Sequence, residues 1–252
     1  MRSFIWASLL TLMAFLGAPA MACTGDSCAA GLAYEAFGAA TQGQKPILVV
    51  FVHGSVSKGG PADYMYPYAK RFAEGHKNVV AVALLQPGYY DANGKRSDGS
   101  DGGRRLPDNT SEITAAVRAL QSRFGARSVF AVGHSMGSMN LGVIIGTQPD
   151  LLKGVVLTSG VYDTNALSEY RHKPQGGVSG LNAVSGISKA ITIVAVHGTA
   201  DDVVPIDQSR HFIAAAQQRG LNAKLVEVSG VGHDWSGALP QAVMSALDRL
   251  VR

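Results

Sequence analysis

The chain has 252 residues, 46% of them hydrophobic and 16% charged, with a formal net charge of +4. That length buries one sizeable core and makes a single domain the expectation. The basic residues form no stripe along any helix and the 30 glycines follow no period, so nucleic-acid binding, collagen-like and repeat architectures have no support.

Residues 1–22 read as a secretory signal peptide. Met1-Arg2-Ser3 is a short basic start, Phe4 to Gly17 an apolar run, and Ala20-Met21-Ala22 a small-x-small cleavage site. Removal leaves residues 23–252 as one mature domain, exported to the periplasm or secreted. No later stretch approaches the apolar length needed to span a bilayer. Cys23 carries two readings. Ala20-Met21-Ala22-Cys23 loosely resembles a lipoprotein box, which would lipidate the cysteine and anchor the protein. Alternatively, Cys23 and Cys28, the only two cysteines, close a small disulfide loop.

Leu32 to Phe37 reads as an edge strand. Ile47 to Val52 is continuously apolar and ends in His53-Gly54, as expected of a strand covered on both faces. Tyr64 to Glu74 has a helical pattern, Val79 to Leu85 that of another buried strand. Residues 88–110 are polar and rich in Gly, Asp and Arg, which predicts a long surface loop. Ser111 to Phe124 is an amphipathic helix with Ile113, Ala116, Val117 and Leu120 on one side. Ser128 to Val132 is a short β-branched and aromatic strand, and Ser138 to Thr147 a helix that stops before Pro149.

Between those two lies Gly133-His134-Ser135-Met136-Gly137. A serine held in a sharp turn from strand to helix has its hydroxyl pushed into the open, and a side chain at either flanking glycine would clash with the neighbouring strand and helix. A Gly-rich turn whose serine only caps the helix is the plainer alternative.

Further strands are expected over Gly154–Thr158, Ile191–Val196 and Ala223–Val228, with helices over Asp207–Gln218 and Leu239–Val251. The alternation predicts an α/β fold, a mostly parallel sheet with helices on both faces. Ligands of such sheets bind beyond the carboxyl ends of the strands, where His53, Ser135, Asp201 and His233 all fall.

A serine hydroxyl near neutral pH needs a base, and the base an orienting acid. His233, in Gly230-Val231-Gly232-His233-Asp234-Trp235 after the last strand, is the candidate base. Asp201 is the candidate acid from the chain order Ser, Asp, His, and Asp163 is its rival. Asp202 reads as a turn cap or a solvent-facing group. An oxyanion hole would use the backbone N–H of Met136, at the helix N-terminus, and of Ser55, with Val56 as alternate. Gly54 would let that backbone come close. His134 is expected to pack beside the turn, and His197 to be structural or to shape the pocket; its four-residue spacing from Asp201 is that of a metal-ligand pair, but the Gly between them and the lack of a third ligand nearby argue against a metal.

These residues resemble an α/β-hydrolase-fold serine hydrolase of the esterase, lipase and serine-peptidase kind. The resemblance rests on His53-Gly54-Ser55, Gly133-His134-Ser135-Met136-Gly137, Gly198-x-x-Asp201-x-x-Val204-Pro205 and Gly232-His233, and spans about residues 32–252. It implies an eight-stranded or slightly reduced sheet and ester, thioester or amide hydrolysis with no cofactor or metal. Only one clear strand precedes Ile47, so the first strand of the full fold is expected to be missing. The segment between Thr158 and Ile191 is short for a helical lid, so an open site is expected.

The leading expectation is an exported esterase that forms an acyl-enzyme on Ser135, with a short-chain or aromatic ester as substrate. A peptidase or amidase of the same fold acting on short peptides, or a non-catalytic binder on this scaffold, stands as the alternative. Tyr64, Tyr66 and Tyr68, or Tyr89 and Tyr90, are candidates to line the pocket, against ordinary surface packing. Arg104 and Arg105 would attract an anionic substrate or simply be solvated.

Overall fold

The computed structural model describes residues 23–99, 106–166 and 178–252. The leader expected over 1–22 and the Arg104–Arg105 pair lie outside the described residues, and so does part of the segment on which the expectation of an open site rests.

The apolar runs become strands β3 (Ile47–Val52), β4 (Val79–Leu84), β5 (Ser128–His134), β6 (Gly154–Thr158) and β7 (Thr192–Gly198). The two-residue strand β1 (Cys28–Ala29) and β2 (Leu32–Gly38) precede them, and β8 (Asn222–Val228) follows. The spatial order is β1-β2-β4-β3-β5-β6-β7-β8. β2 runs antiparallel to both β1 and β4, and all other pairings are parallel.

Helices α1 (Tyr66–Glu74), α2 (Leu106–Phe124), α3 (Met136–Thr147), the single turn α4 (Gly180–Ala183), α5 (Asp207–Gln218) and α6 (Ala238–Val251) flank the sheet. Successive strand side chains point to opposite faces, which divides the core in two. Leu48, Val50 and Val52 pack with Ile113 and Leu120 of α2, Leu141 of α3 and Phe212 of α5. Val49 and Phe51 pack with Phe72 of α1 and Val243 and Leu247 of α6. Continuous apolar runs are therefore what these strands require. Among the described residues no helix is long and apolar enough to cross a membrane.

Two expectations are corrected. A strand does precede β2: Cys28 pairs with Ala33 and Ala29 with Leu32. The intervening Ala30 (φ 47°) and Gly31 (φ 82°) form a two-residue turn of the kind that suits strand twist. A two-residue strand carries no periodicity, and alanine rarely marks a left-handed position, so nothing local announces it. The polar stretch over 88–110 also ends sooner, because α2 begins at Leu106. Pro107 and Asp108 read as loop residues, yet both suit the first turn of a helix, where a missing N–H costs nothing and negative charge is favoured.

The parallel register puts the carboxyl ends of β3, β5, β7 and β8 along one edge of the sheet. Val52 of β3 lies opposite Gly133 of β5, so the segment after β3 leaves the sheet beside the turn after β5.

Candidate active site

Ser135 sits between β5 and α3 with φ 51° and ψ −117°, a backbone conformation that costs a non-glycine residue energy and occurs where surrounding structure enforces it. Its N–H donates to the Thr158 carbonyl of β6 (2.9 Å). The flanking glycines are required by contact distance. A Cβ at Gly133 would lie 2.7 Å from Ser138 Cα in the helix, and one at Gly137 only 2.1 Å from the Val52 carbonyl oxygen in the strand. The serine is a turn residue with a presented hydroxyl, not a helix cap: its side chain makes no cap hydrogen bond.

That hydroxyl meets His233. Ser135 Oγ is 3.0 Å from His233 Nε2, and His233 Nδ1 is 2.9 Å from Asp201 Oδ2 and 3.1 Å from Oδ1. With Nδ1–H donating to the carboxylate, Nε2 is left free to accept from the serine hydroxyl. The structure thus brings Ser135, Asp201 and His233 together from the ends of three different strands.

Asp201 is held on every side. Oδ1 accepts from the N–H of Val203 (3.1 Å) and Val204 (2.8 Å). Oδ2 also faces His197 Nε2 at 3.1 Å. The same His197 nitrogen lies 2.9 Å from the Val204 carbonyl oxygen. Both neighbours are acceptors, so Nε2 carries the proton, and Nδ1 meets Ser209 Oγ at 2.7 Å. Burial pushes the Asp201 carboxyl up, but hydrogen bonds from His197, His233 and Val204 outweigh it and hold the group well below the usual carboxylate range. Asp163, the rival, stands elsewhere. Its carboxylate accepts from the Asn165 N–H (3.0 Å), while its backbone N–H and carbonyl bond the Gln208 side chain. Asp202 is exposed, as expected.

Met136 is the first residue of α3, where backbone N–H groups have no partner within the helix. Ser55 lies directly across from it, its Oγ 3.3 Å from Met136 Sδ. Gly54 is needed here: a Cβ on it would lie 2.8 Å from Ser135 Cβ. His53 fixes the peptide that follows. The Gln86 N–H donates to His53 Nε2 (2.9 Å), so Nδ1 bears the proton and donates to the Gly54 carbonyl (2.6 Å). The described peptide bonds are trans, so drawing the Gly54 C=O toward His53 turns the Ser55 N–H the opposite way. Burial lowers the His53 pKa to about 4, against the raising effect of the Gly54 carbonyl, and keeps the ring neutral.

A recess of about 330 Å³ at the segment after Gly54 is lined by Ser55, Val56, Lys58, Pro61, Tyr64 and Trp235, among others. Of the five tyrosines considered from sequence, only Tyr64 lines it. Tyr66 donates to Asp91, Tyr68 packs on Trp235, Tyr89 is buried against His53, and Tyr90 stacks under Arg96. Sequence reasoning missed Gln86, which also donates from Nε2 to the His53 carbonyl and accepts from Asn140. An amide directly after an apolar strand, at a strand end, is the signal that could have found it. Cys23 and Cys28 form a disulfide, which leaves no thiol at Cys23 for a lipid.

Residues 100–251, more than half of the chain, match the model of the prolyl oligopeptidase family. No curated protein sequence matches significantly. Among solved structures, the chain is similar to Est1E from Butyrivibrio proteoclasticus with ferulic acid bound, at 19% identity and a TM-score of 0.68 over 92% of this chain and 99% of that one. It is similar to Thermogutta terrifontis esterase 2 at 19% identity and TM-score 0.68, covering 87% and 88% of the two chains. It is also similar to the acylaminoacyl peptidase of Pyrococcus horikoshii, at 16% identity and TM-score 0.68, over 87% of this chain but 38% of that one. Likeness at such identities shows the fold, which is the α/β-hydrolase fold.

Proposed function

The chain belongs to the prolyl oligopeptidase family of serine hydrolases, and from that premise we propose that it hydrolyses small carboxylic esters through an acyl-enzyme on Ser135. One observation carries the assignment of roles: a strained, presented serine hydroxyl 3.0 Å from an imidazole whose other nitrogen is 2.9 Å from a buried carboxylate. Ser135 Oγ attacks the ester carbonyl carbon and its proton passes to His233 Nε2. Asp201 holds the tautomer and stabilises the imidazolium. The N–H groups of Met136 and Ser55 donate to the negatively charged tetrahedral oxygen, Ser55 because His53 has turned its peptide. His233 then protonates the leaving alkoxide, and water deacylates Ser135 by the same steps in reverse.

Ester rather than peptide chemistry is favoured by how the neighbours are covered. The two esterases are matched over nearly their whole length, the peptidase over 38% of its chain. The leader over 1–22 would direct the chain across a membrane, and the Cys23–Cys28 disulfide suits an oxidising compartment. A panel of p-nitrophenyl esters and aminoacyl anilides tests the substrate. Turnover of anilides alone would reverse the preference. Fluorophosphonate labelling tests the nucleophile: it is expected in the wild type and lost in Ser135→Ala. An unlabelled wild type near neutral pH would make the protein a binder.

A further inference from the structure

We propose that Tyr64 and His134 are positioning residues, forming with Gly54 and His233 a one-way chain of hydrogen bonds that ties the oxyanion segment to the general-base loop. The proposal rests on the roles given above to Ser135 and His233. The Gly54 N–H donates to Tyr64 Oη at 2.6 Å, Tyr64 Oη lies 2.7 Å from His134 Nδ1, and His134 Nε2 lies 2.9 Å from the His233 carbonyl oxygen.

The direction of every link follows from the two ends. A backbone N–H only donates, so the Tyr64 oxygen accepts from Gly54 and its own proton goes on to His134 Nδ1. A carbonyl oxygen only accepts, so His134 carries its proton on Nε2 and gives it to His233. The ring must therefore be neutral. Burial makes it so, lowering the His134 pKa to about 4 against the raising effect of the His233 carbonyl. Burial likewise pushes the Tyr64 hydroxyl above its ordinary range, which keeps its proton in place.

The rings around the chain leave it little freedom. Tyr64 and Trp235 each meet His134 edge-on, with centroids 5.8 Å and 5.2 Å away, and Tyr64 and Trp235 touch each other at 6.3 Å. The links join residues 10, 70 and 99 positions apart in sequence. Gly54 adjoins the Ser55 donor and the His233 carbonyl belongs to the base itself, so Tyr64 sets the distance between the two halves of the machinery without touching substrate through its hydroxyl.

Tyr64→Phe keeps the ring packing and removes only the hydroxyl, stranding the Gly54 N–H and His134 Nδ1. We expect kcat to fall roughly 10- to 100-fold with KM within about threefold, because the lost bonds orient groups rather than bind substrate. His134→Leu should lose a similar factor. His134→Gln, which restores a donor at the ε position, should recover most of the loss. The double variant Tyr64→Phe/His134→Leu should be no worse than its poorer single. Wild-type kcat in Tyr64→Phe, or losses that multiply, would overturn the chain of bonds. A measurement on the wild type avoids dependence on how the variants fold: ¹⁵N NMR of the imidazoles should show His134 neutral with its proton on Nε2, and His53 neutral with its proton on Nδ1. A proton on Nδ1 of His134 would refute the proposal even if Ser135→Ala is inactive as expected. Activity surviving in Ser135→Ala would refute the nucleophile and leave the tautomer result standing.

Discussion

Asp201→Asn should cost this protein about four orders of magnitude in kcat. Asn is nearly isosteric, so the effect comes from one hydrogen. The Val203 and Val204 N–H groups, 3.1 and 2.8 Å from Oδ1, select the amide oxygen for that position. The amide nitrogen then takes the Oδ2 position, 2.9 Å from His233 Nδ1 and 3.1 Å from His197 Nε2. His197 can still donate to the Val204 carbonyl, but His233 meets a donor at its nearer contact, and the amide oxygen 3.1 Å away already accepts from both valine N–H groups. It escapes by moving its proton to Nε2, where it points at Ser135 Oγ and can no longer take the serine proton. Recovering the active tautomer forfeits a charge-assisted bond and strands a buried donor, together about 5 kcal/mol or about 10⁴-fold. Steady-state hydrolysis of p-nitrophenyl acetate measures it, with KM expected to change little. Asp163→Asn is the control, expected near wild type because among the described residues its carboxylate caps the turn at Asn165. A kcat for Asp201→Asn within tenfold of wild type, or a larger loss in Asp163→Asn, would refute the tautomer reasoning.

Three further outcomes are expected. Gly137→Ala should yield little folded protein or a displaced turn without activity, since its Cβ would sit 2.1 Å from the Val52 carbonyl; soluble, fully active variant would show that the close approach is not required. Unfolding free energy should fall as pH drops from 6.5 toward 4. His53 and His134 are held near pKa 4 in the fold while the unfolded chain protonates them at ordinary values, so each adds a slope of up to about 1.4 kcal/mol per pH unit in that window. Urea titrations at stepped pH check this, and His134→Gln should remove about one proton from the slope. Cys23→Ser opens a loop of few residues and should destabilise by roughly 2 kcal/mol, leaving kcat unchanged; thermal melts with and without reductant test it, and a loss of activity would assign the hairpin a role in the site.

The amino-acid sequence by itself determined the α/β alternation, because strands buried on both faces must be continuously apolar and helices on a sheet must be amphipathic. Both are patterns within a dozen residues. It also marked Gly133 to Gly137, because a sharp strand-to-helix turn leaves room for little else, and it ordered the serine, aspartate and histidine along the chain. What the tertiary structure decided lies between segments far apart. Whether Asp201 or Asp163 faces His233 depends on how β7 and β8 align, and the hairpin at Cys28 has no pattern to display. Tyr64, Gln86, His134 and His197 look like ordinary core or surface residues until the sheet sets them beside one another. Hydrogen bonding acts over about 3 Å, so a side chain's partner is fixed by register and crossing geometry, which no local stretch of the sequence contains.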